Sequence, residues 1–283
     1  MASLAYRILN VFAREGRLTG NPLAVFEDGA ALDDATMQAL ARQFNLSETT
    51  FILPSAKAAA RVRIFTPTFE MSFAGHPTLG TAHVVRALRG GGDALTLEMK
   101  AGLIPVSAAG DRWTLEARFR GIREVSEPTP ELAQILGLEA ADIGDRPLWV
   151  DAGREQLIVP VRSVDAVRRA RPRADAFSRL KSVDGNSMAY VFADAGDAAR
   201  TIEARFFFPK GPAIVEDPAT GSACANLGGW FRALRPGAGV ERVISQGEAI
   251  EQPSTLYLSV PAGGGDIRVG GRVIELGRGT IEL

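Results

Sequence analysis

Short runs of branched and aromatic residues, separated by turn residues, fill the first part of the chain. Runs of this length and composition are typical of β-strands. They predict strands over residues 5–12, 23–26, 50–53, 62–65, 95–99, 103–108 and 113–117. Apolar residues at positions 37, 40, 41 and 44 instead follow the spacing of one helical face, so a helix is predicted over 33–44 with Asp33 as its N-cap.

A second helix is predicted to begin near His76. Pro77 suits a first helical position, and Leu79, Ala82 and Leu88 continue an apolar face. Residues 125–137, with Pro128 and Pro130, are interpreted as a break between two lobes. We therefore place the boundary between the two lobes at about this point.

The second lobe repeats the mixture of strands and helices. Strands are predicted over 156–161, 187–192, 202–208, 255–260 and 267–269, and helices over 164–171, 174–182 and about 222–234. Each lobe contains a strand ending in Phe and Pro or Thr-Pro, a loop, a glycine-containing turn and a helix of small residues: FTP at 65–67 precedes GHPTLG at 75–80, and FP at 208–209 precedes DPATGS at 217–222. This echo predicts a duplicated unit, with two related lobes facing each other.

Composition limits the classes of function. The 283 residues carry 32 Lys and Arg against 33 Asp and Glu, so the basic excess of a duplex-binding protein is absent and no nucleic-acid partner is expected. No apolar run approaches the roughly 20 residues of a membrane span, and the N-terminal sequence does not resemble a secretory leader. A single cysteine, Cys224, allows neither an internal disulfide nor a cysteine-rich zinc site. We expect a reduced, cytoplasmic protein without a membrane partner.

The two glycine turns offer the first candidate chemistry. Backbone N–H groups at a helix N-terminus are unpaired and, with the helix dipole, attract anions. The turns at Gly75 and Gly221 therefore form candidate sites for a carboxylic acid, although glycine with Ser or Thr also simply begins many helices. No Walker loop and no G-x-G-x-x-G motif follows a strand, so a nucleotide cofactor is not indicated.

Several side chains close to these turns are candidates for proton transfer. His76 begins a helix, where the dipole favours neutral imidazole, and Glu48 has apolar neighbours that could raise its pKa for acid/base work, although most loop glutamates are merely solvated. Asp217 and Ser222 flank the second turn, where they could equally be a turn former and a helix cap. His83 and Cys224 are interpreted as packed residues, and Cys224 as an inert thiol.

Four motifs resemble the PhzF-like family of phenazine biosynthesis, which is related to the diaminopimelate epimerase fold. They are GNPLAV at 20–25, LSETTF at 46–51, FAGHPTLG at 73–80 and EDPATGSA at 216–223. Each is weak alone, but the four together, in the family's order across both lobes, are specific. The phenazine enzyme isomerises trans-2,3-dihydro-3-hydroxyanthranilate by moving a hydrogen within the ring system.

The resemblance implies an α+β fold of two pseudo-symmetric lobes, each with a mostly antiparallel sheet curled around a central helix. The first lobe would span 1–120, with a C-terminal strand of about 271–283 returning to it, and the second 128–270. The active site would lie between the helix N-termini near His76 and Ser222. The resemblance also implies a homodimer that uses no metal or organic cofactor.

Roles for single residues also follow from the resemblance. Glu48 looks like the acid/base that takes and returns the hydrogen, helped by His76 and Asp217. Ser222, with backbone groups around Gly75 and Gly221, would bind the substrate carboxylate, and Asn21 resembles a residue at the same edge. The resemblance thus assigns catalytic roles to three residues, Glu48, His76 and Asp217, and substrate-binding roles to four, Asn21, Gly75, Gly221 and Ser222.

The cysteine count separates the alternatives. Epimerases of this fold use one cysteine in each lobe, whereas the first turn here reads Ala74-Gly75-His76 and Cys224 has no counterpart. A two-thiol racemase is therefore disfavoured, and an isomerase of a small cyclic carboxylic acid is preferred. An epimerase with another substrate and a non-catalytic carboxylate-binding protein remain as alternatives.

Overall fold

Two units, each with strands around one long helix, make up the described chain, which is residues 3–283 of a computed structural model. The first unit contains the chain up to Glu116 together with Gly270–Leu283, and the second is Ala117–Val269. The C-terminal segment therefore belongs to the unit in which the chain begins.

The first unit contains two helices, α1 (Asp34–Phe44) and α2 (Gly75–Arg89). Its first strands are β1 (Ser3–Ala13), β2 (Asn21–Phe26), β3 (Glu48–Leu53), β4 (Ala60–Phe65) and β5 (Glu70–Met71), followed by β6 (Ala94–Met99), β7 (Gly102–Ala109) and β8 (Arg112–Ala117). All seven strands predicted in this part of the chain are confirmed, and only the two-residue β5 was missed.

The second unit contains four α-helices: α3 (Thr129–Leu136), α4 (Val164–Arg169), α5 (Ala174–Phe177) and α6 (Gly221–Leu234). Its strands are β9 (Gly121–Glu124), β10 (Leu148–Asp151), β11 (Glu155–Pro160), β12 (Ala189–Asp194), β13 (Thr201–Lys210), β14 (Ala213–Asp217), β15 (Val240–Gln246) and β16 (Ser254–Val260). Two 3₁₀ turns lie at Ala140–Asp142 and Glu248–Ile250. The last strand, β17 (Ile267–Glu282), continues from this unit into the first.

The strands of the two units pair in the same order. In the first unit β2 runs antiparallel to β1 and parallel to β3, while β4 runs antiparallel to β3 and β5 and parallel to β6. In the second unit β11 runs antiparallel to β10 and parallel to β12, while β13 runs antiparallel to β12 and β14 and parallel to β15. This repeated topology confirms the predicted fold class, in which each unit has a mostly antiparallel sheet.

One helix is central to each sheet. Helix α2 contacts β1, β2, β3, β4 and β6, and α6 contacts β9, β10, β11, β15 and β16. Strand β17 pairs with β1 from Ser3 opposite Glu282 to Ala13 opposite Arg272, and also pairs with β8, so the strands of the first unit surround α2. No helix within residues 3–283 is long and apolar enough to cross a bilayer.

Small residues let the central helices approach their strands. A Cβ added at Gly80 of α2 would lie 2.5 Å from Leu23 Cδ2, and one at Gly228 of α6 would lie 2.7 Å from Ile267 Cγ2. Real Cβ atoms do not approach other atoms so closely, and interiors packed this densely tolerate little added volume. The small-residue character that marked both helices in the sequence is thus a packing requirement.

Helix α1 forms as its sequence predicts. Asp33 accepts a hydrogen bond from the Thr36 N–H at 2.8 Å, which confirms it as the N-cap. Met37, Leu40 and Ala41 are buried on the predicted face. Asn45 ends the helix in the left-handed conformation at φ 52°, which asparagine tolerates better than most residues.

The interpretation of residues 125–137 as a break is wrong. They contain α3, in which Pro130 is the second helical residue and Leu132, Ile135 and Leu136 are buried in the core of the second unit. Proline is compatible with a first helical turn because the N–H that it lacks has no helical acceptor there. The same prolines that suggested a break therefore begin a helix.

Candidate active site

Glu48 and His76 lie side by side in the first unit. Glu48 is the first residue of β3, and His76 is the second residue of α2. Their Oε2 and Nε2 atoms are 3.4 Å apart, and the two side chains are 15% and 7% exposed. The fold thus brings together two groups that are 28 residues apart in sequence and removes them from bulk water.

His76 is held as a neutral imidazole. Burial disfavours the charged ring and lowers the pKa of His76 to about 3, against which a hydrogen bond to the Pro22 backbone acts weakly. A neutral imidazole has one N–H, and the Pro22 carbonyl accepts it, so the remaining ring nitrogen is an acceptor. Because Nε2 makes no other hydrogen bond within the described residues, this acceptor lies opposite Glu48.

The motif around Asn21 positions that carbonyl. Gly20 has φ +91°, and a Cβ there would lie 2.6 Å from the Val11 carbonyl oxygen, so only glycine fits without strain. The chain then enters β2 at Asn21, which is fully buried, and continues to Pro22. The GNP sequence therefore positions both Asn21 and the Pro22 carbonyl, which accepts the hydrogen bond from His76.

The N-terminus of α2 has no side-chain cap. Its N-cap is Ala74, and the first N–H with a helical acceptor is that of Thr78, which donates to the Ala74 carbonyl at 3.3 Å. Pro77 has no N–H, so Gly75 and His76 carry the orphan donors of this turn. One of the two anion sites that the sequence predicts is at this turn.

Asp217 lies in the second unit, at the end of β14. Its Oδ2 accepts a hydrogen bond from Thr220 Oγ1 at 2.5 Å, and its backbone carbonyl accepts one from Gln246 Nε2 at 2.8 Å. Gln246 also donates to Thr220 Oγ1 at 3.1 Å. The carboxylate is thus fixed by the same loop that leads into α6.

Ser222 is the second residue of α6, directly after Gly221. The N-cap Thr220 does not cap the helix with its side chain, and the Cys224 N–H is the first to reach a helical acceptor, the Thr220 carbonyl. Ser222 Oγ accepts a hydrogen bond from Gln156 Nε2 at 3.0 Å. Asp217, Gly221 and Ser222 therefore belong to one loop and helix turn, as predicted from their spacing.

Sequence reasoning missed the buried amides behind these residues. Gln156, Asn226 and Gln246 are at most 2% exposed and hydrogen-bond to Ser222, to one another or to the Asp217 loop. Gln156 lay in a predicted strand and Asn226 in a predicted helix, where a polar residue on a buried face was the available signal. Buried amides of this kind are satisfied by partners far away in sequence, which no local pattern reveals.

The two residues interpreted as packed are so. Cys224 is buried in α6, and burial raises the pKa of its thiol, so the nucleophilic thiolate is disfavoured. His83 Nδ1 accepts a hydrogen bond from Trp113 Nε1 at 3.3 Å, on a part of α2 two turns beyond His76. Among residues 3–283, no three His, Cys, Asp or Glu side chains are grouped as metal ligands.

The sequence matches a known protein family and several curated relatives. Residues 9–275 match the family described as PhzC-PhzF, phenazine biosynthesis-like protein. A Pasteurella multocida protein named as an uncharacterized isomerase is 36% identical over 282 residues, covering 98% of this chain and 93% of its own. The trans-2,3-dihydro-3-hydroxyanthranilate isomerase of Pseudomonas aeruginosa is 35% identical over 269 residues, covering 92% and 91%.

A solved structure gives the same result for the fold. The phenazine biosynthesis protein of the PhzF family from Bacillus anthracis superposes with a TM-score of 0.89 over the whole of both chains, at 24% identity. At that identity the likeness concerns the fold.

Proposed function

The chain belongs to the phenazine biosynthesis-like (PhzC-PhzF) family and is an isomerase, and we propose that it moves a hydrogen within a small cyclic carboxylic acid by acid/base catalysis at Glu48. The observation that supports this most strongly is the buried pair of Glu48 and the neutral His76. A carboxyl group in such a place can accept a proton and return it without losing it to water.

The reaction balances on this one carboxylate. Glu48 removes a hydrogen as a proton from one carbon, and the electron pair left behind is delocalised into the conjugated acid. Glu48 keeps this proton as a carboxyl group, whose O–H can donate a hydrogen bond to Nε2 of His76, 3.4 Å away. Glu48 then returns the proton at another carbon, so substrate and product are isomers and the proposed reaction requires no external oxidant, reductant or cofactor.

Binding groups come from the residues around the two helix starts. Within the second unit, we assign the substrate carboxylate to Ser222 and the N–H groups around Gly221. Gly75 and Asn21, at the starts of α2 and β2, are the binding residues that the sequence predicts in the first unit. Backbone N–H groups and helix dipoles there favour negative charge, which also develops when the C–H bond breaks. Asp217, held by Thr220, would accept a hydrogen bond from a polar substituent of the substrate.

The two alternative functions make different demands on Cys224 and on the Glu48–His76 pair. An amino-acid epimerase of the thiol type needs a thiolate, which the burial of Cys224 opposes. A carboxylate-binding protein needs the helix starts but has no use for a buried Glu48–His76 pair. Small anionic substrates are common to all three, and the homodimer implied by the sequence resemblance remains a prediction for light scattering to test.

The test uses proton NMR in deuterated water with trans-2,3-dihydro-3-hydroxyanthranilate, the substrate of the Pseudomonas relative. We expect conversion or deuterium uptake with the wild type and a loss of at least about 10³-fold with Glu48→Gln. Glu98→Gln is the matched control. Glu98, on β6, is also half-buried, but it accepts a hydrogen bond from Ser55 and lies outside the proposed site.

Two outcomes would count against the proposal. Full turnover in Glu48→Gln would remove Glu48 from the reaction. Tight binding without any exchange of substrate hydrogen, across a panel of cyclic carboxylic acids, would favour the non-catalytic alternative.

A further inference from the structure

A chain of side-chain hydrogen bonds connects the backbone of the second unit to Ser222. Asn226 Oδ1 accepts from the Ala152 N–H at 2.7 Å, and its Nδ2 donates to the Arg154 carbonyl at 2.9 Å. A backbone N–H only donates and a carbonyl only accepts, so the orientation of the Asn226 amide is fixed at both ends. Asn226 is 1% exposed, and water does not compete for these positions.

The fixed orientation of the Asn226 amide in turn fixes that of the Gln156 amide. The second Nδ2 hydrogen of Asn226 is donated to Gln156 Oε1 at 2.8 Å. Gln156 must then present its Nε2 to Ser222 Oγ, at 3.0 Å. Turning either amide over would place like groups against each other in a buried site, which is costly because each loses its partner.

The hydroxyl group of Ser222 is the last member of this chain of hydrogen bonds. Its oxygen accepts from Gln156, so its own hydrogen is left to donate, and Ser222 makes no other hydrogen bond within residues 3–283. Ser222 is half-buried, whereas Gln156 is 2% exposed. The free hydrogen therefore belongs to the one member of the chain that a ligand can reach.

We propose that Gln156 and Asn226 are positioning residues that hold the Ser222 hydroxyl as a hydrogen-bond donor, so that this site selects a substrate group that accepts, above all a carboxylate. A serine without such a partner can turn its hydroxyl to donate or to accept, and discriminates less. The inference rests on the proposed function, since it concerns how Ser222 meets the substrate acid.

Binding of 3-hydroxyanthranilate tests the inference. This aromatic acid resembles the relatives' substrate but has no ring hydrogen on a tetrahedral carbon to transfer, so its dissociation constant is measured by calorimetry without turnover. We expect Gln156→Met and Ser222→Ala each to raise the dissociation constant about tenfold, the effect of losing a hydrogen bond to a charged group. Gln156→Met in the Ser222→Ala background should add nothing, because its effect passes through the hydroxyl.

Two further variants keep the test independent of folding. Gln156→Glu retains the acceptor for Asn226 Nδ2 and places a second acceptor beside Ser222, so it should weaken binding by more than Gln156→Met. Its urea unfolding midpoint is measured alongside, because the added carboxylate is buried. Gln38→Met is the matched control, because Gln38 is a half-buried amide of the first unit that donates to the Thr66 carbonyl, and it should bind as the wild type does.

Steady-state kinetics distinguishes a positioning role of Gln156 from a purely structural one, because the two roles change KM and kcat differently. With trans-2,3-dihydro-3-hydroxyanthranilate, the Gln156 variants should raise KM while kcat stays within about threefold of the wild type, since the interaction is made in both ground and transition states. A general distortion of the fold would lower both kcat and the unfolding midpoint.

The outcomes separate the inference from the proposed function. If the wild type binds, Ser222→Ala weakens binding and the Gln156 variants do not, the inference is wrong and the proposed function stands. Equal weakening by Gln156→Met with and without the Ser222 hydroxyl would also overturn it. If the wild type neither binds 3-hydroxyanthranilate nor converts the dihydro acid, the proposed function fails, and the inference fails with it.

Discussion

The two units share a topology but carry different chemistry at matching positions. Glu48 begins β3 opposite Leu23 of the parallel strand β2, and Ala189 begins β12 opposite Leu157 of the parallel strand β11. A carboxylate in one unit is thus a methyl group in the other. The second residues of the central helices differ in the same way, with His76 in α2 and Ser222 in α6.

The two units differ in the kind of side chain that they place at these positions. The first unit buries ionisable groups against each other, as a proton-transfer pair requires, and it contains both histidines of the chain. The second unit surrounds its site with amides and hydroxyls whose donors and acceptors are fixed by the backbone. The proposed function thus assigns proton transfer to residues of the first copy and oriented hydrogen bonding to residues of the second.

Making the first unit resemble the second should have the largest effect. Glu48→Ala copies Ala189 into the matching position, and we expect kcat for the dihydro acid to fall at least about 10³-fold because the proposed proton-transfer group is removed. Steady-state kinetics measures this, with Glu98→Ala as the control. Residual activity within tenfold of the wild type would mean that the units are not divided as described.

The buried ion pairs sharpen the comparison through stability. Arg205 and Glu216 of the second unit are 8% and 5% exposed, and Arg205 also donates to the carbonyls of Val167, Arg168 and Ala170. Arg205→Met leaves Glu216 buried without its cation, which should cost about 3–5 kcal/mol of unfolding free energy in urea titrations.

A more exposed group of charges in the first unit gives the reference value. Arg7 contacts Glu27 and Glu275, whose side chains are 23% and 21% exposed, so water stabilises them when Arg7 is removed. Arg7→Met should therefore cost less than Arg205→Met. Replacing Arg205 and Glu216 together by Met and Leu should recover much of the loss; if it does not, the carbonyl contacts of Arg205 matter more than the ion pair.

Between pH 6.5 and 5, the dependence of stability on pH should come mainly from the histidines, both of which lie in the first unit. Burial lowers the pKa of His76 from 6.5 to about 3, and burial also lowers that of His83. The unfolded chain then binds protons that the folded chain does not, so stability is full above pH 6.5 and is lost as the pH falls towards 3. His76 alone contributes a slope of about 1.4 kcal/mol per pH unit in that window.

Substituting the two histidines separates their contributions. His76→Asn should remove its share of the slope between pH 6.5 and 5, roughly 2 kcal/mol, measured by urea titration at each pH. His83→Asn should remove less, because His83 is only partly buried. A slope that survives His76→Asn unchanged would show that His76 is not neutral in the folded chain.

The sequence predicted the parts of the molecule that depend on local patterns. Asp33 and the apolar positions after it predicted α1, and the four motifs predicted the residues around Glu48, His76, Asp217 and Ser222. Residues 125–137 were misread because proline both breaks helices and begins them, and the outcome depends on the burial of Leu132 and Leu136. The Gln156–Asn226 chain was missed because its partners are 70 residues apart and meet only through the fold.

The smallest effect concerns Cys224, the single cysteine of the sequence. Cys224 is buried in α6 with a pKa raised by burial, so Cys224→Ala should change turnover of the dihydro acid by less than about twofold and stability by about 1 kcal/mol, through the lost sulfur alone. Parallel kinetics and urea titration of this variant and the wild type provide the measurement. A tenfold loss of turnover in a stably folded variant would restore a thiol mechanism and make the second unit a partner in proton transfer. An unchanged rate would count against a thiol mechanism and is the result that the proposed role of Glu48 predicts.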